Sequence, residues 1–303
     1  MISTILCLFC FALSIAVGTC LNKAINFSNA TFPCEAGCIS NQPCFKTAWG
    51  PTLNFTRAIT APCDYVLYSI SLGPRDASSL HPVQDYWGGK PCSIYMLGNH
   101  SKFVQTHKLQ TGSIFRNWLI VLVNDLLLEQ QYGSYRRAVK LVKMSTHMVL
   151  HPNVKYAIFI DAKLVSIHHP KTIVENYAER YGDVILAAVH HPNRNTIEQE
   201  FQAISSYENN GSFTSITDNI TKIADQVQFY EKNGLKKLPF QQVLIDSAYE
   251  VIRVHDKVSI QLRCAWLNQI QTFGDRDQIS LPYVLVWMTY NNTTQNATQP
   301  NLF

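Results

Sequence analysis

Nine residues, Lys155-Tyr-Ala-Ile-Phe-Ile-Asp161-Ala-Lys163, constrain the fold of this chain more than any other stretch. The apolar run inside it has no polar residue at alternate positions, so as a strand it offers no face to water and must be covered on both sides. Strands of that kind belong to parallel sheets flanked by helices. Asp161 and Lys163 then fall at the carboxyl edge, where open α/β sheets place their ligands. At that edge an Asp can hold ribose or a metal ion, and a Lys can hold phosphate. A plain polar turn after a buried strand would look the same.

Composition narrows the class. With 303 residues, 47% hydrophobic and 15% charged, the chain can bury one sizeable core or two small ones, and one large α/β domain is the simpler organisation. Net charge is +4, and no basic run exceeds a pair such as Lys236-Lys237. No electrostatic track for nucleic acid is present.

The first residues predict a secretory route. An apolar stretch from about Ile5 to Val17, followed by the small residues Gly18 and Thr19, has the pattern of a signal peptide over residues 1–20. The stretch is shorter than the roughly 20 residues of a membrane span. Membrane association is expected only if it is retained as a signal anchor. Nine Asn-x-Ser/Thr acceptors, at Asn26, Asn29, Asn54, Asn99, Asn210, Asn219, Asn291, Asn292 and Asn296, exceed the about three that chance supplies, so an N-glycosylated protein of the Golgi lumen or the exterior is expected. Beyond Cys7, Cys10 and Cys20 the cysteines are Cys34, Cys38, Cys44, Cys63, Cys92 and Cys264. An even set in an oxidising compartment predicts disulfides, in any of about 15 pairings. Zinc is disfavoured because no neighbouring His completes a tetrahedral set.

Residues 21–60, rich in Asn, Pro, Thr and Cys without an apolar period, are expected to form a disulfide-tied N-terminal extension. Residues 61–290 form the main domain and 291–303 a disordered tail. Within the domain, strands are expected at Asp64–Ser71, Ser93–Leu97, Trp118–Val123, Lys155–Ile160 and Asp183–Val189, with two short runs at Gln242–Ile245 and Val251–Val254. Helices are expected over about Gly133–Leu150, after Pro170, near Thr196–Ser206, over Thr221–Asn233 with Gly234 as a stop, and around Trp266. Arg136, Lys140 and Lys143 share one helical face. Strands alternating with helices predict a mainly parallel sheet flanked by helices.

No G-x-G-x-x-G, Walker loop, G-x-S-x-G or H-E-x-x-H occurs, which removes the common dinucleotide, NTPase, hydrolase and zincin readings. Several strand-end and helix motifs do form an ordered series: Tyr68-Ser69 and Gly73; Arg136, Lys140 and His147; Phe159-Ile-Asp-Ala-Lys163; His191-Pro-x-Arg194; Gln226, Tyr230 and Gly234; Arg253-Val-His255; Trp266; and Arg276-Asp-Gln-Ile-Ser280. In that order and spacing, from about Cys63 to Met288, the chain resembles the plant and microbial hexosyltransferase-like family that includes a mucilage-related hexosyltransferase and a turgor-regulation alkaline ceramidase.

The resemblance implies a glycosyltransferase A-like fold, with a Rossmann-like nucleotide-binding half continuous with an acceptor-binding half, and transfer of a hexose from a nucleotide-diphosphate sugar to a glycan or glycoconjugate acceptor. It places Tyr68, Ser69, Arg136, Lys140, Asp161, Lys163, His191 and Arg194 around the nucleotide sugar. Such enzymes carry Asp-x-Asp at a central strand end and use Mn²⁺ or Mg²⁺. Here Asp161 is the one carboxylate available to a metal, and Lys163 stands where the second would be, so weak or absent metal dependence is expected. A sugar-transfer site that inverts configuration also needs a base for the acceptor hydroxyl. Asp277 is the candidate, with Gln278 orienting the sugar and Arg276 fixing the carboxylate; the alternative for Asp277 is a helix-terminal cap. Trp266, Tyr68 and Tyr230 could stack on a ring, against a simpler role in core packing. His169-Pro170 stands where the family often has Asp-Pro, and no role is assigned to it. Two other function classes fit the resemblance: a ceramidase-like lipid amidase, and a secreted glycoprotein of the same fold without turnover.

Overall fold

The computed structural model describes residues 43–73, 80–164, 166, 168–182, 184–209, 219–233, 244–274 and 276–294. The expected leader, Cys34, Cys38, Gly234, Asp275 and the end of the expected tail lie outside these residues. The chain divides into two compact units, one built from Pro33–Ala187 and Ala248–Cys264, the other from Ala188–Ser247 and Ala265–Phe303.

Among the described residues seven strands form one mixed, mostly parallel sheet: β1 (Tyr65–Ser71), β2 (Ser93–Gly98), β3 (Ile114–Phe115), β4 (Trp118–Val123), β5 (Tyr156–Ile160), β6 (Leu186–His190) and β7 (Ile245–Arg253), in the order β3-β4-β2-β1-β5-β7-β6. The pairs β1–β2, β2–β4 and β1–β5 are parallel, while β3–β4 and β5–β7 are antiparallel. Of the two runs expected at Gln242–Ile245 and Val251–Val254, Ile245 and residues 251–253 belong to one strand that runs through the intervening Asp246-Ser-Ala-Tyr-Glu250, while Gln242 and Val243 lie outside the described residues. The boundary between the two units falls within β6 and β7.

In the first unit all five residues of β5 are buried, as a strand covered on both faces requires. Leu67, Tyr95, Leu97, Ile120, Ile158 and Ile160 pack on one face with Ile173 and Val174 of the helix Pro170–Tyr177. On the other face Tyr68 and Phe159, paired across β1 and β5, bring their rings within 5.4 Å. At the opposite edge from the strand ends discussed below, Cys63 and Cys92 join the starts of β1 and β2 across a separation of 29 residues. A loop of that size gains about 3–4 kcal/mol from the cross-link on the chain-entropy argument. Cys264 is also disulfide-bonded.

Local sequence explains most helix ends and corrects several expectations. Pro43–Trp49 (α1) and Pro51–Thr60 (α2) are helices where the extension was expected to be irregular, and Arg57 Nε of α2 donates to the Met148 carbonyl at 2.9 Å within the first unit. The remaining helices are α3 (Lys102–His107), α4 (Asp125–Tyr132), α5 (Tyr135–Met144), α6 (Thr146–Val149), α7 (Pro170–Tyr177), α8 (Ile197–Asn209), α9 (Ile220–Lys232), α10 (Lys257–Thr272) and α11 (Asp277–Thr294). Gly133, at φ 80°, closes α4, and the Ser134 side chain then accepts from Arg137 N to start α5. The helix expected over Gly133–Leu150 therefore begins later and is interrupted at Ser145. α8 starts with a capping box: Thr196 Oγ1 accepts from Gln199 N, and Gln199 Oε1 accepts from Thr196 N and Asn195 N. α11 continues to Thr294, so the start of the expected tail at residue 291 is helical. Among the described residues no helix is long and apolar enough to cross a membrane.

In the second unit Ile197 and Ile204 of α8, Ile223 and Val227 of α9 and Ile279 and Val286 of α11 form the core. Tyr230 stacks on Tyr283 at 3.9 Å and bonds Gln226 and Gln269 through its hydroxyl. Trp266 is buried and donates Nε1–H to the Asp277 carbonyl. Both aromatic side chains are packing residues rather than ring platforms.

Candidate active site

The sheet order singles out one crevice in the first unit. From β1 the chain passes to β2 and then to β4, further out on the same side, before it returns to β5 on the other side of β1. The carboxyl ends of β1 and β5 are therefore the topological switch point, the position at which open α/β sheets bind ligands. Gly73 follows β1 there, and Asp161 follows β5.

Beyond β5 the chain turns at once. Asp161 N–H donates to the Ala248 carbonyl at 2.8 Å, ending the ladder; Asp161 Oδ1 accepts from Lys163 N at 3.0 Å; and the Asp161 carbonyl accepts from Leu164 N at 2.8 Å. Half of the carboxylate thus shapes an Asx turn, which holds the Lys163 side chain in solvent. Asp161-Ala-Lys163 thus forms the polar turn, at the sheet edge where a ligand was expected. One carboxylate beside an ammonium is a poor donor set for a divalent cation, which prefers several oxygens. Among the described residues no three His, Cys, Asp or Glu side chains converge into a metal-binding group.

The other residues expected around the nucleotide divide by burial. Tyr68 is fully buried, with its hydroxyl donating to the Lys143 carbonyl at 3.3 Å, and burial raises its pKa well above the ordinary range. Ser69 is buried beside it. Neither presents a surface to a base or sugar, so their expected contacts give way to packing. Arg136 and Lys140 on α5 are half-buried and already partnered. The third cation of that face, Lys143, lies wholly inside: its Nζ is 2.7 Å from Glu250 Oε1 and 4.2 Å from the Phe159 ring centroid. This basic stripe is therefore not a solvated helix face. Its interior neighbours include Arg263, which bonds Thr146 Oγ1 and the Val254 carbonyl, and His147, whose pKa falls to about 3 through burial and then the Arg263 charge.

In the second unit His191 is buried after β6, and its Nδ1 accepts the backbone N–H groups of Asn193 and Arg194 at 3.2 and 3.1 Å. The ring is committed to its own loop, which replaces the expected phosphate contact. The same device recurs at two other His-Pro pairs: His151 Nδ1 accepts from Asn153 N and His169 Nδ1 from Lys171 N. His169, where an Asp-Pro was expected, is thus the N-cap of α7, its imidazole nitrogen standing in for a carboxylate oxygen. His191 yields a pH prediction. Burial and then Arg194 lower its pKa against opposing contributions from Glu200 and Asp246, with His190 adding to the lowering. The unfolded chain therefore binds the proton first, and the His191 contribution to stability is complete above about pH 6.5 and is lost below it. Melting temperature is expected to fall from about pH 7.5 to about 5.5, with a shallower slope for His191→Asn, which keeps an acceptor in the turn; an unchanged slope would remove His191 as a source.

Arg194 and Arg276 both turn toward Glu200, a carboxylate with 1% of its side chain exposed; Arg194 pairs through Nε and Arg276 Nη1 lies 3.9 Å away. Arg276, expected to fix Asp277, thus addresses Glu200. Asp277 is buried, opens α11, and accepts from Ser247 Oγ at 2.6 Å. Gln278 is partly exposed beside it. Glu200 was not legible as a partner, because Arg194 precedes its helix and Arg276 is far away in sequence. The buried Asp125, which follows β4, was missed although β4 ends in charge just as β5 does.

The family model of the TOD1/MUCI70 glycosyltransferase-like domain matches residues 93–303. The chain belongs to that family. TOD1/MUCI70 relatives include the probable hexosyltransferase MUCI70 of Arabidopsis thaliana, 29% identical over 174 residues, covering 55% of this chain and 27% of that protein. The alkaline ceramidase TOD1 of Arabidopsis thaliana is 26% identical over 140 residues, covering 45% of this chain and 28% of that protein. The chain thus spans little more than a quarter of these curated relatives. Mouse xyloside xylosyltransferase 1, in its apo form, shares 11% identity over 75% of this chain and 82% of that one, with a TM-score of 0.41. A TOD1/MUCI70 domain is glycosyltransferase-like by its family description, and the mixed, mostly parallel sheet expected of such a domain is present.

Proposed function

We propose that this protein transfers a hexose from a nucleotide-diphosphate sugar to a glycan or glycoconjugate acceptor in the lumen of the secretory pathway. The observation that carries the reading is the switch point between β1 and β5, where a member of a glycosyltransferase-like family presents an exposed Lys163 held by the Asp161 turn. As the sugar C1–O bond to the diphosphate breaks, the departing oxygen keeps the electron pair and the diphosphate gains charge. Lys163 neutralises that charge directly. The acceptor oxygen forms the new bond to C1 and, in an inverting reaction, gives its proton to a carboxylate base; Asp277, followed by Gln278, is the candidate for that role by its sequence. The luminal route rests on the leader and the sequons.

The test is thermal unfolding of the full chain with a panel of nucleoside diphosphates and nucleotide sugars, with and without Mn²⁺. A binding donor at a hundredfold excess over its dissociation constant is expected to stabilise by about 2.7 kcal/mol. Lys163→Ala is expected to weaken that binding, and chelation to leave it intact. A panel that produces no shift would sink the donor reading, and strict Mn²⁺ dependence would remove Lys163 as the diphosphate cation. Release of fatty acid from ceramide, lost in Asp161→Asn, would favour the amidase activity named for the ceramidase relative.

A further inference from the structure

At the carboxyl edge of the same sheet stands a histidine and carboxylate pair that the reaction described above leaves unused. Asp125, the first residue of α4 and wholly buried, receives three N–H groups: Gly73 N after β1 at 3.1 Å on Oδ2, and His100 N at 3.3 Å and His100 Nδ1 at 2.9 Å on Oδ1. One carboxylate thereby ties together the ends of three neighbouring parallel strands, β4, β2 and β1. The sequence is built around it. A Cβ on Gly98, the last residue of β2, would lie 2.3 Å from Asp125 Oδ2, and a Cβ on Gly73 would lie 2.8 Å from the Tyr135 ring at a φ of +94°. A side chain at Gly98 would displace the carboxylate itself, and one at Gly73 would displace Tyr135.

The charged pair does more than fasten strands. Backbone N–H donors alone would satisfy Asp125, yet the His100 ring is also drawn onto it while 43% of the side chain remains exposed. A carboxylate accepts only, so Nδ1 carries the proton, and Nε2 is left as a bare acceptor in the neutral ring. The ring is thus fixed in tautomer and direction by a buried anchor and exposed at its other nitrogen. This is the arrangement of a ligand-contacting His supported by a second residue. β2 lies beside β1 on the side away from β5, so His100 stands across β1 from the cation of Lys163.

We propose that His100, oriented by Asp125, binds the nucleoside part of the donor, its Nε2 accepting a hydrogen bond from a ribose hydroxyl or a base N–H. This rests on the donor reading above and deepens it: the diphosphate lies toward Lys163 and the nucleoside toward β2. Asp125 is a positioning residue, since it reaches the ligand only through the imidazole.

The experiment is calorimetric titration of the full chain with whichever of UDP, GDP, CDP and ADP the wild type binds most tightly, and separately with inorganic pyrophosphate. His100→Ala is expected to weaken the nucleoside diphosphate roughly tenfold, the worth of one hydrogen bond, and to leave pyrophosphate unchanged. Asp125→Asn should shift the same ratio in the same direction, a change that lost stability alone would not produce. His100→Gln, which returns an acceptor near the position of Nε2, should recover part of the loss. Wild-type affinity in His100→Ala overturns the proposal, and equal weakening of both ligands overturns the nucleoside assignment. A wild type that binds none of the four diphosphates overturns the donor reading itself and this proposal with it.

Discussion

Lys143→Met is expected to destabilise the protein by about 3–5 kcal/mol, the usual consequence of leaving one member of a buried ion pair without its partner. Lys143 and Glu250 are both fully inaccessible, and their charged atoms lie 2.7 Å apart. Removing the ammonium leaves the Glu250 carboxylate in an interior where Phe159 stands opposite it in the β5–β7 register and beneath the former ammonium position. The double variant Lys143→Met/Glu250→Leu removes both charges, and apolar replacement of a buried pair is often neutral or better. Most of the loss should therefore return. Urea unfolding of the single and double variants measures both effects. A single variant that loses less than about 1 kcal/mol would mean that this pair behaves like a surface one, and the buried assignment would fail. The pair also changes how α5 is understood: its most buried cation serves the interior, while Arg136 and Lys140 nearer the helix start remain half-buried.

The second large effect concerns turnover. If Asp277 takes the acceptor proton, Asp277→Asn should lower turnover by about 10²- to 10⁴-fold, the contribution of a general base, with little change in nucleotide binding. The substitution suits the question because an Asn oxygen can still accept from Ser247 Oγ, which lies 2.6 Å from Asp277 Oδ2, and the backbone carbonyl that receives Trp266 Nε1–H is unaltered. Melting temperature should therefore move little. Steady-state transfer assays with a competent donor and acceptor decide between the roles. Full turnover would return Asp277 to a purely structural position at the start of α11, where an acidic residue in the first turn is favourable in any case.

Much of the architecture was legible because it is encoded locally. The apolar runs at Tyr65–Ser71, Ser93–Gly98, Trp118–Val123 and Tyr156–Ile160 are recognisable without any partner, as is the Thr196-x-x-Gln199 start of α8. The asymmetry of the misses is instructive. α1 and α2 escaped notice because their helical character rests on Pro at the first positions and on packing within the first unit, not on a strong apolar period. β7 looked like two pieces because Asp246 and Glu250 interrupt its apolar pattern, and Glu250 is buried there beside Lys143, which reaches it from 107 residues away. At the candidate site, Asp161 and Lys163 were found from a strand ending in charge. The identical signal at Val123-Asn-Asp125 was passed over, and with it the anchor of His100.

What the sequence alone determined is the buried strand Tyr156–Ile160 and its polar end Asp161-Ala-Lys163, the edge at which a ligand was expected. A local chemical pattern suffices for that, since a strand's period and its terminus involve neighbours in the chain. Only the tertiary structure decided which cations were available to such an edge. Lys143 went inward to Glu250, His191 closed its own loop, and Lys163 stayed in solvent. Those fates depend on partners brought close by folding, because an ionic side chain is buried only where a distant residue offsets the cost of removing it from water.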